Sequence, residues 1–266
     1  MENADATAKP QEETPTEKAK KISQEIYLDW ERLKPETQKI IERMVGRFDY
    51  IDEYKLIELV KNLIKIPFVA HLLIMHPNAE KDILQAIILS DVGKMGILEG
   101  TAGSKDQSDL IVEIFSISNI PNRETINLYD FVREKITNFK TAEERMKILE
   151  LLRPYEVTEK TTLLEFHNLH TGFSMQTLKN EPEIDKEVRD SIARHHHLDG
   201  INIIGGELTF ADKIVMCVDK FDAQRTRAHA TARQAVEWIK NEKLKDTKYE
   251  KDNEFGIILD ALEKIK

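Results

Sequence analysis

The segment IDKEVRDSIARHHH runs an amphipathic helix directly into three adjacent histidines, and that junction limits what the chain can fold into. Ile184, Val188 and Ile192 fall at successive four-residue steps, which places them on one helical face. Three adjacent imidazoles are expensive to bury unless protons, carboxylates or a metal pair with them. Neighbouring helical residues diverge by about 100°, so only two of His195, His196 and His197 readily point the same way. The third is expected to face solvent or an outer layer. A second costly group follows, because the apolar run Ile214 to Val218 ends in Asp219, a carboxylate that needs a partner or a cation.

The rest of the chain reads as helices joined by short breaks. Its 266 residues contain only ten Gly and eight Pro, and helix-favouring Glu, Lys, Leu, Ile and Ala run between them. This predicts an all-α protein. Residues 1–20 are polar and nearly free of large apolar side chains, so they read as a disordered tail. Residues 21–78 read as an N-terminal helical region, with Pro35 at a helix start and Asp52 able to cap the helix that carries Leu56, Leu59, Val60 and Leu63. Residues 79–266 read as the main helical domain. AEKDILQAIILSD is a buried helix there, with Gly93 suited to terminate it. GTAGSKDQ (100–107) reads as a loop, and SDLIVEIFSI as a helix or a strand. Further helices are expected over 127–136, 142–152, 157–178, 211–225, 231–240 and 255–265.

Other side chains are candidates with ordinary alternatives. Asp219 and Asp222 share one side of a helix, where a salt bridge or a cap would also account for an aspartate. Asp91, after the run Ala86 to Ser90, fits a turn role as well as a metal. Lys94 is either a solvated turn lysine or a phosphate contact. His167 and His170 stand at i and i+3 and could face one centre, or one of them could be a hydrogen-bonded core histidine. Imidazole with carboxylate oxygen suits iron, manganese or zinc better than calcium.

The block Ser90-Asp91-Val92-Gly93-Lys94, then His170, His195-His196-His197-Leu198-Asp199-Gly200 and Asp219-Lys220-Phe221-Asp222-Ala223, resembles the HD superfamily, in particular its HD-GYP branch of cyclic-di-GMP phosphodiesterases. The resemblance runs from about residue 57 to 240. It implies an HD-domain-like helical bundle with two or three metals held between antiparallel helices. By position, Asp91, His170, His195, His196 and Asp219 match metal ligands, with Asp91 as the bridging carboxylate. Lys94 matches a phosphate-contacting lysine. Arg225 and Arg227 fall where family members place basic residues near substrate phosphates.

The chain departs from the pattern at three places. Ser90 stands where the family has the histidine of its His-Asp pair. The glycine loop reads G200-I201-N202-I203-I204-G205-G206, without the usual Tyr-Pro. About fifty extra residues, at about 100–155, separate Asp91 from His170. The upstream histidines His71 and His76 are closer to Asp91 than the family's first ligand. The resemblance therefore implies an incomplete centre, holding one divalent transition metal or none.

The expected function is a metal-dependent phosphohydrolase, acting on cyclic-di-GMP or another phosphorylated nucleotide. The alternative is a catalytically inactive signalling module that binds a nucleotide or a protein partner. A net charge of −9 disfavours a DNA duplex or an anionic membrane as partner. The single cysteine, Cys217, excludes an intrachain disulfide and suits a reducing compartment. No apolar stretch reaches spanning length, so a cytoplasmic location is expected.

Overall fold

The computed structural model describes residues 13–47, 50–74, 76–96, 104–117, 120–201 and 203–265. Among these the chain is all helical, with no strand beyond an isolated bridge between Asn127 and Thr162. The first helices are α1 (Pro15–Glu25), α2 (Pro35–Arg47), α3 (Tyr50–Ile64), α4 (Pro67–Leu73) and α5 (Ala79–Leu89). A 3-10 turn over Ser90–Met95 follows α5. Next come α6 (Ser104–Ser116), α7 (Leu128–Lys135), α8 (Ala142–Glu150), α9 (Leu163–Asn168) and α10 (His170–Leu178). The last four are α11 (Lys186–Arg194), α12 (Phe210–Arg227), α13 (Ala232–Trp238) and α14 (Asn253–Leu262).

Local chemistry fixes several of these starts. Thr14, Thr141, Thr162, Thr209 and Thr231 each form a capping box with the acidic or amide side chain three residues on. The first of these moves a boundary. Residues 15–20, expected as part of the tail, belong to α1, because Thr14, Glu17 and Pro15 satisfy its first turn and Ala19 is buried. Residues 1–12 lie outside the described residues.

Three other local expectations change. Asp52 falls inside the first turn of α3 instead of ahead of it. The segment 104–107, expected as loop, is the first turn of α6, which makes SDLIVEIFSI helical. The stretch 157–178 is two helices with an extended start, because Thr161 Oγ accepts from the Thr158 backbone N–H at 2.8 Å and holds a turn ahead of α9.

Two apolar clusters organise the fold. The larger joins α1 to α5 with α11 to α14, and the smaller joins Leu110, Ile111 and Ile114 of α6 with α7, α8, α9 and Phe173 of α10. Helix α10 touches both, since Phe173 belongs to the smaller cluster and Leu178 to the larger. Its first residue, His170, therefore lies where the clusters meet. Helix α12 is the central strut. Phe210, Ile214 through Val218, and Phe221 are all buried along it, each of them except the smaller Cys217 contributing roughly 1.5–3 kcal/mol if fully transferred from water. Against it packs the buried face of α11, made of Val188 and Ile192.

Candidate metal centre

The 3-10 turn that carries Asp91 and Lys94 is fastened to α10. Ser174 Oγ donates to the Ser90 carbonyl at 2.5 Å and accepts from the Gly93 N–H at 2.8 Å. Gly93 is required by this approach and not by helix termination. A Cβ there would run into the His170 carbonyl oxygen and lie 2.5 Å from the Ser174 nitrogen, whereas the left-handed residue that ends the turn is Gly96, at φ 93°.

Beside this junction His170, His195 and His196 bring one ligand atom each to within 4.8 Å of one another. His170 and His195 are buried, and His196 is partly so. Helix α11 stops at Arg194, so the triplet is not a helical continuation. His195 still has helical backbone, His196 turns at φ −100° and ψ 13°, and His197 opens a short 3-10 turn. That bend separates the three rings. His195 and His196 enter the cluster, and His197 Nε2 sits 3.1 Å from the Tyr249 hydroxyl.

The hydrogen bonds fix which nitrogen of the two buried rings carries a proton. A carbonyl oxygen only accepts, so His170 Nδ1–H donates to the His167 carbonyl at 2.5 Å and His195 Nδ1–H donates to that of Ile192 at 2.7 Å. His196 Nδ1 lies between two groups, 2.6 Å from Asp199 Oδ2, which only accepts, and 3.0 Å from the Lys220 ammonium, which only donates. The Nε2 atoms of His170 and His195 are left as lone-pair acceptors. This is the arrangement by which an outer partner orients a metal-ligating imidazole.

Electrostatics keep the two buried rings neutral. Burial, then Lys94 and the neighbouring histidines, holds His170 well below the ordinary histidine range. Burial and His196 push His195 down to about 3, although Asp219 and Asp91 pull the other way. Their Nε2 atoms nevertheless face one another at 3.1 Å, and Asp91 Oδ1 stands 3.6 Å from His170 Nε2. Two unprotonated nitrogens and a carboxylate oxygen in such proximity repel unless a cation joins them. Two imidazoles on one zinc at about 2.0–2.1 Å lie roughly 3.3 Å apart, so the pair fits a shared divalent ion. A soft-to-borderline transition metal matches this donor set.

The remaining carboxylates have lysine partners. Asp91 pairs with Lys94. Asp219 accepts from Lys220 at 2.9 Å, and Lys220 also reaches Asp199 at 2.5 Å, where Lys243 adds a second contact at 2.6 Å. Burial alone would raise the Asp219 and Asp199 carboxyls. Lys220 and the histidines hold Asp219 well below the carboxylate range, and His196 with Lys220 and Lys243 does the same for Asp199. Lys220 is itself buried, and although burial opposes its charge, Asp219 and Asp199 raise its affinity for the proton.

The sequence-selected residues thus have different fates. His170, His195 and His196 converge, Asp91 and Lys94 stand beside them, and Asp219 lies near enough to bias His195 while engaged by Lys220. His71 and His76 are exposed and outside the cluster. Ser90 Oγ donates to the Ile87 carbonyl at 2.8 Å, so its hydroxyl is committed to its own helix. Arg225 is exposed in the last turn of α12 with no ion pair to a described residue, whereas Arg227 bears electrostatically on His167. His167 does not join its neighbour at i+3. Its Nδ1 meets Arg123 Nη1 at 3.0 Å instead.

Sequence reasoning missed four contributors. Lys220 had a signal, since it directly follows Asp219 in a helix with almost no exposed apolar face. Lys243 comes from the π-turn after α13 and had none. Phe115 and Arg123 come from the segment between Asp91 and His170, and only tertiary packing brings them here. The Phe115 ring lies 5.0 Å from that of His167 and 5.9 Å from that of His170.

Fold and site define an all-helical protein with a buried three-histidine cluster able to coordinate a divalent metal, and no described helix is long and apolar enough to cross a membrane. Comparison of the chain with protein-family models, with curated protein sequences and with solved structures gives no match.

Proposed function

We propose that the chain is a metal-dependent phosphohydrolase of HD-GYP-like organisation, acting on a phosphodiester such as cyclic-di-GMP through a centre that holds one iron, manganese or zinc ion. The observation that carries this reading is the facing pair of neutral nitrogens, His170 Nε2 and His195 Nε2, 3.1 Å apart with Asp91 alongside. His170, His195, His196 and Asp91 would hold the ion. When bound, it would supply Lewis-acid chemistry, activating water and neutralising charge on a phosphoryl oxygen.

The protein's own groups divide the remaining work. Backbone carbonyls of His167 and Ile192 fix His170 and His195 in the ligating tautomer, and Asp199 with Lys220 holds the His196 ring by its Nδ1. Lys94, anchored on Asp91, would meet an oxygen of the substrate. Asp219 is held by Lys220, so an ammonium supplies the positive charge that a second ion would bring beside that carboxylate. This favours one ion over two.

The test is hydrolysis of cyclic-di-GMP and of a chromogenic phosphodiester after anaerobic loading with iron(II), manganese(II) or zinc(II). Turnover that falls at least tenfold in Lys94→Gln, at unchanged metal content, supports the reading. Bound metal without turnover on either substrate contradicts it and leaves a binding module. That second reading is favoured by Ser90, whose hydroxyl is turned into its own helix where the family pattern has an imidazole.

A further inference from the structure

We infer that Lys243 is a positioning residue for the histidine cluster: the π-turn after α13 delivers it to Asp199, and through Asp199 it holds the His196 ring. Its effect on an ion rests on the metal centre proposed above. The chain of contacts from Lys243 to His196 does not.

The turn over Ile239–Leu244 is π-helical, and the Lys245 N–H donates to the Lys240 carbonyl, five residues back, at 3.0 Å. In an α-helix, residues five apart point about 140° away from one another. The wider turn brings them back to one side, so Ile239 and Leu244 are both buried. The same five-residue step sets the Lys243 ammonium 5.1 Å from the centre of the Trp238 ring, which limits where that side chain can go. Single π-turns are rare and recur at functional sites. This one ends on a carboxylate of the histidine turn, with Lys243 Nζ 2.6 Å from Asp199 Oδ1.

Charge balance calls for this second lysine. Lys220 lies 2.5 Å from Asp199 and 2.9 Å from Asp219, so one ammonium faces two carboxylates. Lys243 supplies the other positive charge. It also occupies Oδ1 of Asp199, which leaves Oδ2 for Lys220 and for His196 Nδ1, 2.6 Å away. Asp199 and His196 share one tight turn, in which the Asp199 N–H donates to the His196 carbonyl at 2.9 Å, so a carboxylate that shifts takes the imidazole with it. Outer partners of this kind orient ligating imidazoles, and losing one costs about 10–100-fold in metal affinity. The segment that carries Lys243 is fastened twice more. Tyr249 Oη stands 3.1 Å from His197 Nε2, and Lys213 of α12 pairs with Asp252 at 2.6 Å and Glu254 at 2.8 Å. The connection from α13 to α14 thereby becomes part of what sets the histidine turn.

The test measures zinc(II) affinity of the full chain by competition with a chelator and, in the ion-free chain, the His196 ring nitrogens by two-bond proton–nitrogen correlation spectra. Lys243→Met is expected to weaken zinc binding at least tenfold and to shift the His196 resonances. Lys243→Arg should restore most of both, and Lys240→Met, on the same turn but paired with exposed Asp260, should change neither. In an Asp199→Asn background Lys243→Met should add less than twofold, because the lysine acts through that carboxylate. Unfolding free energies are read in parallel, and Lys243→Gln carries the same comparison if the methionine variant does not fold. Unchanged affinity and unchanged His196 resonances in Lys243→Met overturn the inference, as does a loss of full size that persists in the Asp199→Asn background. A chain that takes up no zinc, while Lys243→Met still shifts His196 and Lys240→Met does not, retains the positioning chain and sinks the metal centre. Zinc binding that depends on Lys243 in a chain without turnover on a phosphodiester retains the inference and sinks only the hydrolase reading.

Discussion

His170 Nε2 and His195 Nε2 lie 3.1 Å apart while both rings spend their Nδ1 hydrogens on backbone carbonyls, those of His167 and Ile192. The pair is built to be neutral and to point its lone pairs at one place. Its stability without a cation is correspondingly poor, and the consequences can be measured.

Acid should destabilise the fold through these rings. In the unfolded chain a histidine takes up its proton near 6.5, whereas His167 waits until about 4 and His195 until about 3. Between those values the unfolded state binds more protons, so stability is full above 6.5 and declines as pH falls through the window. At pH 5.5 the loss is about 1.4 kcal/mol for each ring. Chemical-denaturation midpoints measured from pH 7.5 to 4.5 should fall steadily, and His167→Gln should flatten the slope. A midpoint independent of pH would contradict the neutral assignment.

Gly93→Ala tests the seam between the Asp91 turn and α10. The added Cβ meets the His170 carbonyl and the Ser174 nitrogen, both backbone, so the turn must move. Overpacking of this kind costs about 1–3 kcal/mol. The unfolding free energy should drop by that amount, with metal affinity falling in parallel because Asp91 sits on the displaced turn and His170 on the helix it meets. Gly205→Ala, where a Cβ meets nothing within 4 Å, is the control.

Lys220→Met removes the buried ammonium shared by Asp199 and Asp219. Breaking a buried pair by deleting one partner costs about 3–5 kcal/mol, and the lower end applies here because the Asp219 side chain keeps 30 % of its exposure. Urea unfolding should show the loss. If a carboxylate freed in this way recruits a second ion, elemental analysis of Lys220→Met should give more metal per chain than the native protein.

The sequence made the helices legible wherever apolar residues recurred at helical spacing, as along Ile184, Val188 and Ile192, whose burial draws the histidines inward. The cluster followed from the family resemblance, which matches His170, His195 and His196 to metal ligands along with Asp91 and Asp219; the three histidines meet, whereas residue type alone left open which two of the triplet would turn inward. Two features were beyond local reading. The N-terminal boundary at Pro15 depends on a capping box inside a polar stretch, where composition alone suggests disorder. Gly93 resembles a helix terminator, and only the approach of α10 reveals what it is for. Arg123 and Phe115 had no signal, because the packing that carries them to His167 spans an insertion with its own apolar cluster.

Metal content is the most direct measurement. Protein purified without chelator, and again after anaerobic loading, should hold about one iron, manganese or zinc ion per chain by elemental analysis. His170→Ala and His195→Ala should each release it. His197→Ala should retain it, since that ring faces Tyr249. A native chain that stays metal-free after loading, or one whose metal survives both alanine substitutions, would contradict the account.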